Sequence, residues 1–523
     1  MLATGFLAAT LLAFTAVPAG AATINVDAAA SDSANSSTDA DALCSPREAV
    51  ISANQNSLPS PVNVSDCATS GTAGSDTVNI PAGTFTLTIA GENHAANDGA
   101  LGGDLDLTDL TAIQGAGPSS TTLQQTVSDQ RVIEVVSGGT GTVLSQIGIT
   151  GGHLDVPPND NVYGGGVFLN GGTPDINDVR VFANRIDTQG SAHGAGIASL
   201  AGGPPGVVSM TDVSAINNDS TTTFNPPQGG GIFAGGGTTA LTRVRLIDND
   251  LVGPSTAAGG GAFLDDATVQ GAVVDNNTVT VTGSNKEYSQ GAYGAGLYME
   301  LGTSAVSDAT ITNNDAIGGT GSSDAAGGGV FAEGFGVPET GNYTNLTIAD
   351  NTVTASDDAA GGGFAAHLPA LGLPADLSFV TLSGNSASGP AGAGTSIVDQ
   401  VASLGSGSLI RFRASAIEDD ADADPACGTG STGGTDLSGG TFSSLGANAG
   451  VGTSCGLTGT NDVQSLASGG LGLGALAVLH LVELGDPVHE LGDLVAELLA
   501  QLLERVGGVL DRVVQQRRAD RRR

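Results

Sequence analysis

Tryptophan is missing from this sequence, aromatic residues are 4% of it, and 16 basic residues face 53 acidic ones. Each shortage excludes something. A cleft for neutral sugars is built from stacking rings, and the five tyrosines, Tyr163, Tyr288, Tyr293, Tyr298 and Tyr343, are scattered along the chain. A formal net charge of −37 opposes a nucleic-acid partner, whose phosphates ask for the other sign. The four cysteines include no Cys-x-x-Cys pair, so a zinc site is not indicated. His153, His193 and His367 fall in loops or beside glycine runs, with no second ligand at metal spacing and no Ser-His-Asp set. No glycine run is followed by Gly-Lys-Ser/Thr, which removes a phosphate loop. Only 13% of residues are charged, yet the hydrophobic share is 40%, too high for a disordered chain.

What is abundant is glycine, 82 residues, and it is periodic. Glycine triplets or Gly-Ala-Gly variants begin at Gly164, Gly194, Gly229, Gly259, Gly294, Gly327, Gly361 and Gly392, in steps of 30 to 35 residues. Several are followed by an apolar pair: Val167-Phe168, Ile232-Phe233, Leu297-Tyr298, Val330-Phe331. A second pattern keeps pace, apolar-x-apolar-x-x-Asn, ending at Asn184, Asn218, Asn249, Asn277, Asn314, Asn351 and Asn385. Period-two alternation makes each a short strand with one face inward, and asparagine, which tolerates left-handed backbone, takes the turn. One unit per coil of a parallel β-solenoid follows. The asparagines then stack into an amide ladder, and the glycines mark a corner of positive φ or close approach. The residues just after the ladder, Arg185, Asp219, Asp250, Thr278, Asp315, Thr352 and Ser386, stack as well. A propeller blade would need about 40–45 residues and four strands, and helical repeats do not tolerate this glycine content.

A solenoid needs caps at both ends. Ser45 and Glu48 form a capping box around Pro46, which opens a helix from Pro46 to about Asn54. Its apolar residues Ala49, Val50 and Ala53 would cover the first coil. The first 21 residues are apolar and end in Ala19-Gly20-Ala21, an export signal with a small-x-small cleavage pattern, although no basic residue precedes it. In an exported chain the four cysteines form two bridges; three pairings are possible, of which the short-range one, Cys44 with Cys67 and Cys427 with Cys455, is favoured, and four free buried thiols are the alternative.

The stretch Cys44, Ser45, Arg47, Glu48, Ala49 resembles the Cys-Ser-Leu-Arg-Glu-Ala motif of secreted bacterial β-helix proteins, with Pro46 in place of Leu. Residues 76–87, 105–107, 113–117 and 131–133 are similar to that family's following coils, and the Gly-Gly-Gly-Val/Ile-Phe units are similar to polymorphic outer-membrane protein repeats. Together the resemblance covers roughly residues 23–465. It implies an all-β chain, a right-handed parallel β-helix of the pectin-lyase-like class, secreted or held at the cell surface. The domain plan that results is an export signal (1–21), an N-terminal cap with first coils (22–135), the repeats (136–415), a disulfide-closed C-terminal cap (416–465) and a Leu/Arg-rich tail (466–523).

The tail departs from the family. Val488, Leu491, Leu494, Leu498, Leu502, Val506 and Val509 recur at helical spacing. Residues 1–504 hold 9 basic and 51 acidic side chains, a net −42, and the last nineteen hold 7 and 2, a net +5. Three readings stand: a basic amphipathic helix lying on anionic lipid, a helix that pairs with another, or an out-of-frame translation. No segment after the export signal reads as a transmembrane span.

Chemistry is harder to find. Stacked coils would make Asp219 and Asp250 neighbours, with Asp248 near. Such carboxylates can raise one another's pKa, bind a cation, or serve glycoside hydrolysis; Asp beside Asn is also common turn chemistry, solvated and inert, and that reading is the favoured one. Arg243 and Arg245 share a strand face, opposite an inward face of Thr242, Val244 and Leu246, and could meet an acidic sugar or only solvent near Asp248. Asp422 and Asp424 resemble a loose calcium loop without the glycine and closing Glu of an EF-hand; no other cofactor is indicated. The expectation is therefore a surface or extracellular rod acting in adhesion, display or structural interaction, with a glycan or protein partner. The alternative is a polysaccharide lyase or glycoside hydrolase acting on a polyanionic polysaccharide through Asp219, Asp248, Asp250 and Arg243 or Arg245.

Overall fold

The structure is a computed structural model. It describes residues 22–466 apart from 35–40, 56–62, 68–75, 92–99, 110, 137–140, 157–160, 201–206, 284–290, 301–303, 321–322, 335–340, 369–373, 390–396, 405–407, 419–424, 430–439 and 452. Residues 1–21, read above as an export signal, the tail beyond residue 466, Tyr288, Asp422 and Asp424 lie outside the described residues.

One coil shows how the sequence unit becomes structure. Ile232–Ala234 forms a strand, the chain turns into Thr238–Thr242 and Arg245–Ile247, and Asn249 leads into Asp250–Gly253. After Ala257–Ala258, the glycines Gly259, Gly260 and Gly261 open the next coil. Each strand pairs in parallel with its counterpart one coil on. The counterparts stack into a 20-stranded sheet, here sheet 1 (the Thr238–Ile247 position), and an 11-stranded sheet 2 (Ile232–Ala234). Sheet 3 (Asp250–Gly253) has eight strands, and sheet 4 (Ala257–Ala258) has five. A two-stranded piece holding Val162–Tyr163 and Ala192–His193 continues sheet 4 through bridges at Gln228. The architecture is a parallel β-solenoid, as the repeat spacing predicts.

Two left-handed columns run up the coils. One precedes the ladder: Ala183, Asn217, Asp248, Asn276, Asn313 and Asp350 all have φ between 51° and 55°. The turn is thus made by the residue before the ladder asparagine, and the ladder asparagine points inward. The other column interrupts sheet 1 at Asp178, Asp212, Arg243 and Asp308, with φ of 53° to 55°. The register between coils is unbroken across it, and the left-handed residue resets the in–out alternation along each strand. Leu241, Val244 and Leu246 face the core, and Thr242 does not, contrary to the simple period-two reading.

The buried asparagines bond as a continuous chain. Asn218 donates from Nδ2 to Asn249 Oδ1 at 3.0 Å, Asn249 to Asn277 Oδ1 at 2.8 Å, and so on to Asn385, which donates to Gln400 Oε1 at 2.7 Å. The partner of this ladder is the glycine triplet. A Cβ on Gly231 would lie 2.6 Å from the Gly261 carbonyl oxygen and 3.0 Å from Asn249 Nδ2, while Gly229 turns with φ of +66°. Asparagine and glycine recur together because they form the waist of each coil. On one side of the waist lies the main core between sheets 1 and 2, with Val244, Leu246, Ile232 and Leu264. On the other lies a smaller lobe between sheets 3 and 4, with Leu251, Ala257 and Val279.

The N-terminal end is closed by α1, Pro46–Asn54, with the capping box formed and all nine residues buried. Arg47 is buried without exposure and acts as a tie. Its Nε pairs with Asp32 at 2.8 Å, and its other nitrogens donate to the carbonyls of Ala100, Gly103 and Asp104. Asn54 accepts from the Thr108 amide and donates to the Asp106 carbonyl, which covers the strand edge of the early coils. The disulfides are Cys44–Cys67 and Cys427–Cys455.

Candidate functional site

Alternation along sheet 2 decides where the paired apolar residues go. Two successive strand residues cannot face the same core. Ile232 turns in, so Phe233 turns out. The outward position of sheet 2 reads, coil by coil and in register, Asp106, Glu134, Phe168, Ala198, Phe233, Phe263, Tyr298, Phe331, Ala365 and Ala402. These rings are nonetheless buried, because the glycine corner folds sheet 4 toward sheet 2 on the outside of the coil. Sheet 4 contributes Tyr163, His193, Ala258, Tyr293, Ala326 and Val398 to the same cluster.

The rings form one stack along the axis. Tyr163 lies 5.2 Å from Phe168 and 4.7 Å from His193, His193 4.6 Å from Phe233, and Phe233 5.4 Å from Phe263. Phe263 and Tyr298 follow at 4.7 Å, and Tyr298 and Phe331 at 5.4 Å. His193 fills the gap left where sheet 2 has only Ala198. Burial drives its pKa down to about 4, against a smaller opposing hydrogen bond from Gln228, so it is a neutral ring in the stack. Three tyrosines that are dispersed in the sequence, Tyr163, Tyr293 and Tyr298, therefore converge. Tyr343 does not; it is buried in the main core beside Phe364. Because the rings cover one another's faces, the stack turns edges outward and makes a dry strip, not a set of stacking platforms.

Beside the strip, two residues further along each strand, runs a polar column: Asp265, Glu300, Glu333 and His367, paired in register on consecutive coils. Tyr298 donates its hydroxyl to Glu333, and His367 Nδ1 lies 3.4 Å from the other Glu333 oxygen. Burial, reinforced by the Glu333 charge, holds the Tyr298 phenol well above its ordinary range. Burial and the neighbouring Asp266 raise the Asp265 carboxyl. At the N-terminal end of the ring column, Asp104, Asp106 and Glu134 bring carboxylate oxygens within 4.8 Å of one another. Arg131 supplies the cation there: it pairs with Glu134, reaches Asp104 at 3.4 Å and lies 5.0 Å above the Phe168 ring.

The residues singled out from the sequence divide between sheets. Asp219 and Asp250 are register neighbours on sheet 3, and Arg185 flanks Asp219 on the other side. Burial, then Asp250, raises the Asp219 carboxyl, with Arg185 opposing. Asp248 belongs to the left-handed column and accepts from Asn276 at 2.6 Å. Arg243 pairs with Asp212 at 2.6 Å, and Arg245 sits in sheet 1 between Ser214 and Val273. The arginines thus lie on sheet 1 and Asp219 and Asp250 on sheet 3, with Asp248 at the turn between the two sheets. His153 pairs with Asp187 at 3.2 Å. The ring column and its acidic companion were missed, although the repeated apolar pair after each glycine triplet was their signal.

No family model and no curated protein matches this chain. Among solved structures it is similar to the catalytic domain of a GH87 alpha-1,3-glucanase in complex with tetrasaccharides. The identity is 12% and the TM-score 0.32, over 71% of this chain and 64% of that one. It is also similar to the Azotobacter vinelandii mannuronan C-5 epimerase AlgE4 A-module, at 12% identity and a TM-score of 0.29, over 75% of this chain and 89% of that one. The chain spans less than two thirds of the glucanase domain's length.

Proposed function

We propose that this chain is an exported, surface-held or extracellular rod that binds a glycan along the outer face of sheet 2. One observation carries the reading: Asp265, Glu300 and Glu333 stack one carboxylate per coil in register, beside the column of stacked rings. Sugar hydroxyls are donors with multiple weak contacts to offer, and carboxylates accept them at a rigid spacing. A low-dielectric strip alongside strengthens each such bond. Two disulfides support an oxidising location. The direct test is binding of the full chain to immobilised neutral, amino and acidic polysaccharides. Retention on at least one, lost in a Glu300→Gln Glu333→Gln double variant of unchanged circular dichroism, is expected. Equal retention of the double variant refutes the site.

A second reading is glycan cleavage. Carboxylates on adjacent coils stand about 4.8 Å apart at the backbone, near the roughly 5–5.5 Å of retaining glycosidases. Glu300 with Glu333, or Asp219 with Asp250, would be the pair. New reducing ends on incubation with the same polysaccharides would establish it. At the sheet 2 face a polyanionic substrate would meet the like charge of Asp265, Glu300 and Glu333, whereas at Asp219 and Asp250 the neighbouring Arg185 would favour one.

A further inference from the structure

Granted the export reading above, the residue sequence leaves the end of the leader open. A small-x-small cleavage pattern is met by Ala19-Gly20-Ala21, which would leave Ala22 first, and equally by Gly20-Ala21-Ala22, which would leave Thr23 first. The start of the rod decides between them. Ala22 already belongs to the sheet, since the Thr77 amide donates to its carbonyl at 2.8 Å. Thr23, Ile24 and Asn25 then pair in register with Thr77, Val78 and Asn79, and the Val26 amide donates to the Asn79 carbonyl at 2.9 Å. Ile24 is fully buried. Register and burial together fix where the Ala22 nitrogen lies, and it lies 2.7 Å from Asp76 Oδ1.

Asp76 gains from a charged partner. It shares the inward side of its strand with Val78 and is 4% exposed, and a carboxylate taken out of water needs donors or positive charge to offset its desolvation. In an uncleaved chain the Ala22 nitrogen is a neutral amide. Hydrolysis changes it. Water adds to the Ala21 carbonyl carbon, the C–N bond breaks, and the leader departs with a carboxylate. The two protons of that water pass to the Ala22 nitrogen, which becomes an ammonium. The contact with Asp76 then becomes charge-assisted, roughly twice as strong as a neutral hydrogen bond. Cleavage one residue later would discard both the Ala22 nitrogen and the carbonyl that Thr77 uses. We infer that the Ala21–Ala22 bond is the processing site of this chain, and that cleavage there seats an α-ammonium on the Asp76 carboxylate, an ion pair that pins the first strand of the rod.

The test expresses the full chain in an exporting bacterial host and sequences the N-terminus of the product. Ala22 first is expected. A product that begins at Thr23 or elsewhere would overturn the site, and a chain that stays inside the cell with its leader attached would overturn the export reading with it. The ion pair is read by acylating the mature chain with an amine reagent at neutral pH and measuring each site by peptide mass spectrometry. Lys286 is the one lysine of the sequence, so it serves as the internal reference amine. A neighbouring carboxylate favours the charged amine, and each unit by which it raises the pKa removes tenfold of the reactive free base. Relative to Lys286, Ala22 should therefore be acylated at least tenfold faster in Asp76→Asn than in the wild-type chain. Hydrogen exchange at the Thr77 amide should quicken at least tenfold in the same variant. Asparagine keeps the oxygen that accepts from Ala22, and unchanged exchange at the Ala49 amide, which donates to Ser45 inside the N-terminal cap, shows that the cap stays folded. Equal acylation of Ala22 in both chains, with the N-terminus at Ala22, would overturn the ion pair and leave the export reading intact.

Discussion

Truncating one rung of the asparagine ladder should cost different amounts at different heights, and the structure sets the difference. Asn249 Oδ1 accepts two bonds from the coil before it, from the Asn218 amide at 3.1 Å and from Asn218 Nδ2 at 3.0 Å. Its own Nδ2 donates to Ala215 O and to Asn277 Oδ1. In Asn249→Ala, Asn277 Oδ1 keeps the Asn249 backbone donor at 3.1 Å, so that acceptor stays satisfied. The two Asn218 donors are stranded in a site with no solvent exposure. At about 1–3 kcal/mol per stranded buried group, the cost is about 2–6 kcal/mol. Asn184 is the first rung. Its Oδ1 accepts from the Gly152 amide at 2.9 Å, so Asn184→Ala strands one donor and costs about 1–3 kcal/mol. Coil stacking is a nearest-neighbour system, so a single two-state free energy need not describe the whole rod. Hydrogen exchange resolved by coil, alongside urea unfolding, is the suitable assay. Protection should fall most at the Asn218 and Asn249 coils in the first variant and only near Gly152 in the second. A loss in Asn249→Ala no greater than in Asn184→Ala would refute the counting of stranded donors.

Arg47→Met should leave Asp32 buried without its guanidinium and release the carbonyls of Ala100, Gly103 and Asp104. The expected loss is about 3–5 kcal/mol, confined to the N-terminal cap and visible as early proteolytic cleavage between residues 41 and 109 with the later coils still protected. Folding lowers the His193 pKa from 6.5 to about 4, so the unfolded chain binds the extra proton. Stability should therefore fall as pH drops from about 6.5 toward 4, by roughly 3 kcal/mol from this residue, and His193→Phe should flatten that part of the pH profile; an unchanged slope would contradict the buried neutral ring. Gly231→Ala puts a methyl 2.6 Å from the Gly261 carbonyl oxygen. It should destabilise by about 1–3 kcal/mol through crowding, and a neutral result in denaturant unfolding would mean that the coils can spread at the waist.

Much of this fold was legible in the sequence because a solenoid repeats each physical demand once per coil. The 30–35-residue steps of the glycine triplets and the matching asparagines give coil length, strand phase and the stacking of Asp219 on Asp250. The helix from Pro46 was readable from Ser45, Pro46 and Glu48, since capping is a local interaction. Local information ended at the left-handed column of sheet 1. Arg243 occupies a left-handed position that nothing in its own strand announces, so strict alternation puts Thr242 inward where the structure does not.

The candidate site shows the same division. Sequence alone determined that Phe168, Phe233, Tyr298 and Phe331 follow the glycines at equivalent places in their units. It also held Asp265, Glu300 and Glu333 at a constant offset from Phe263, Tyr298 and Phe331. Only the tertiary structure decided that sheet 4 folds against the outside of sheet 2, bringing Tyr163, His193 and Tyr293 from another strand onto those rings. The physical reason is that the fold angle at the glycine corner comes from positive-φ backbone packed on the Asn ladder of the same waist. That angle depends on contacts between coils, which no stretch of one coil contains.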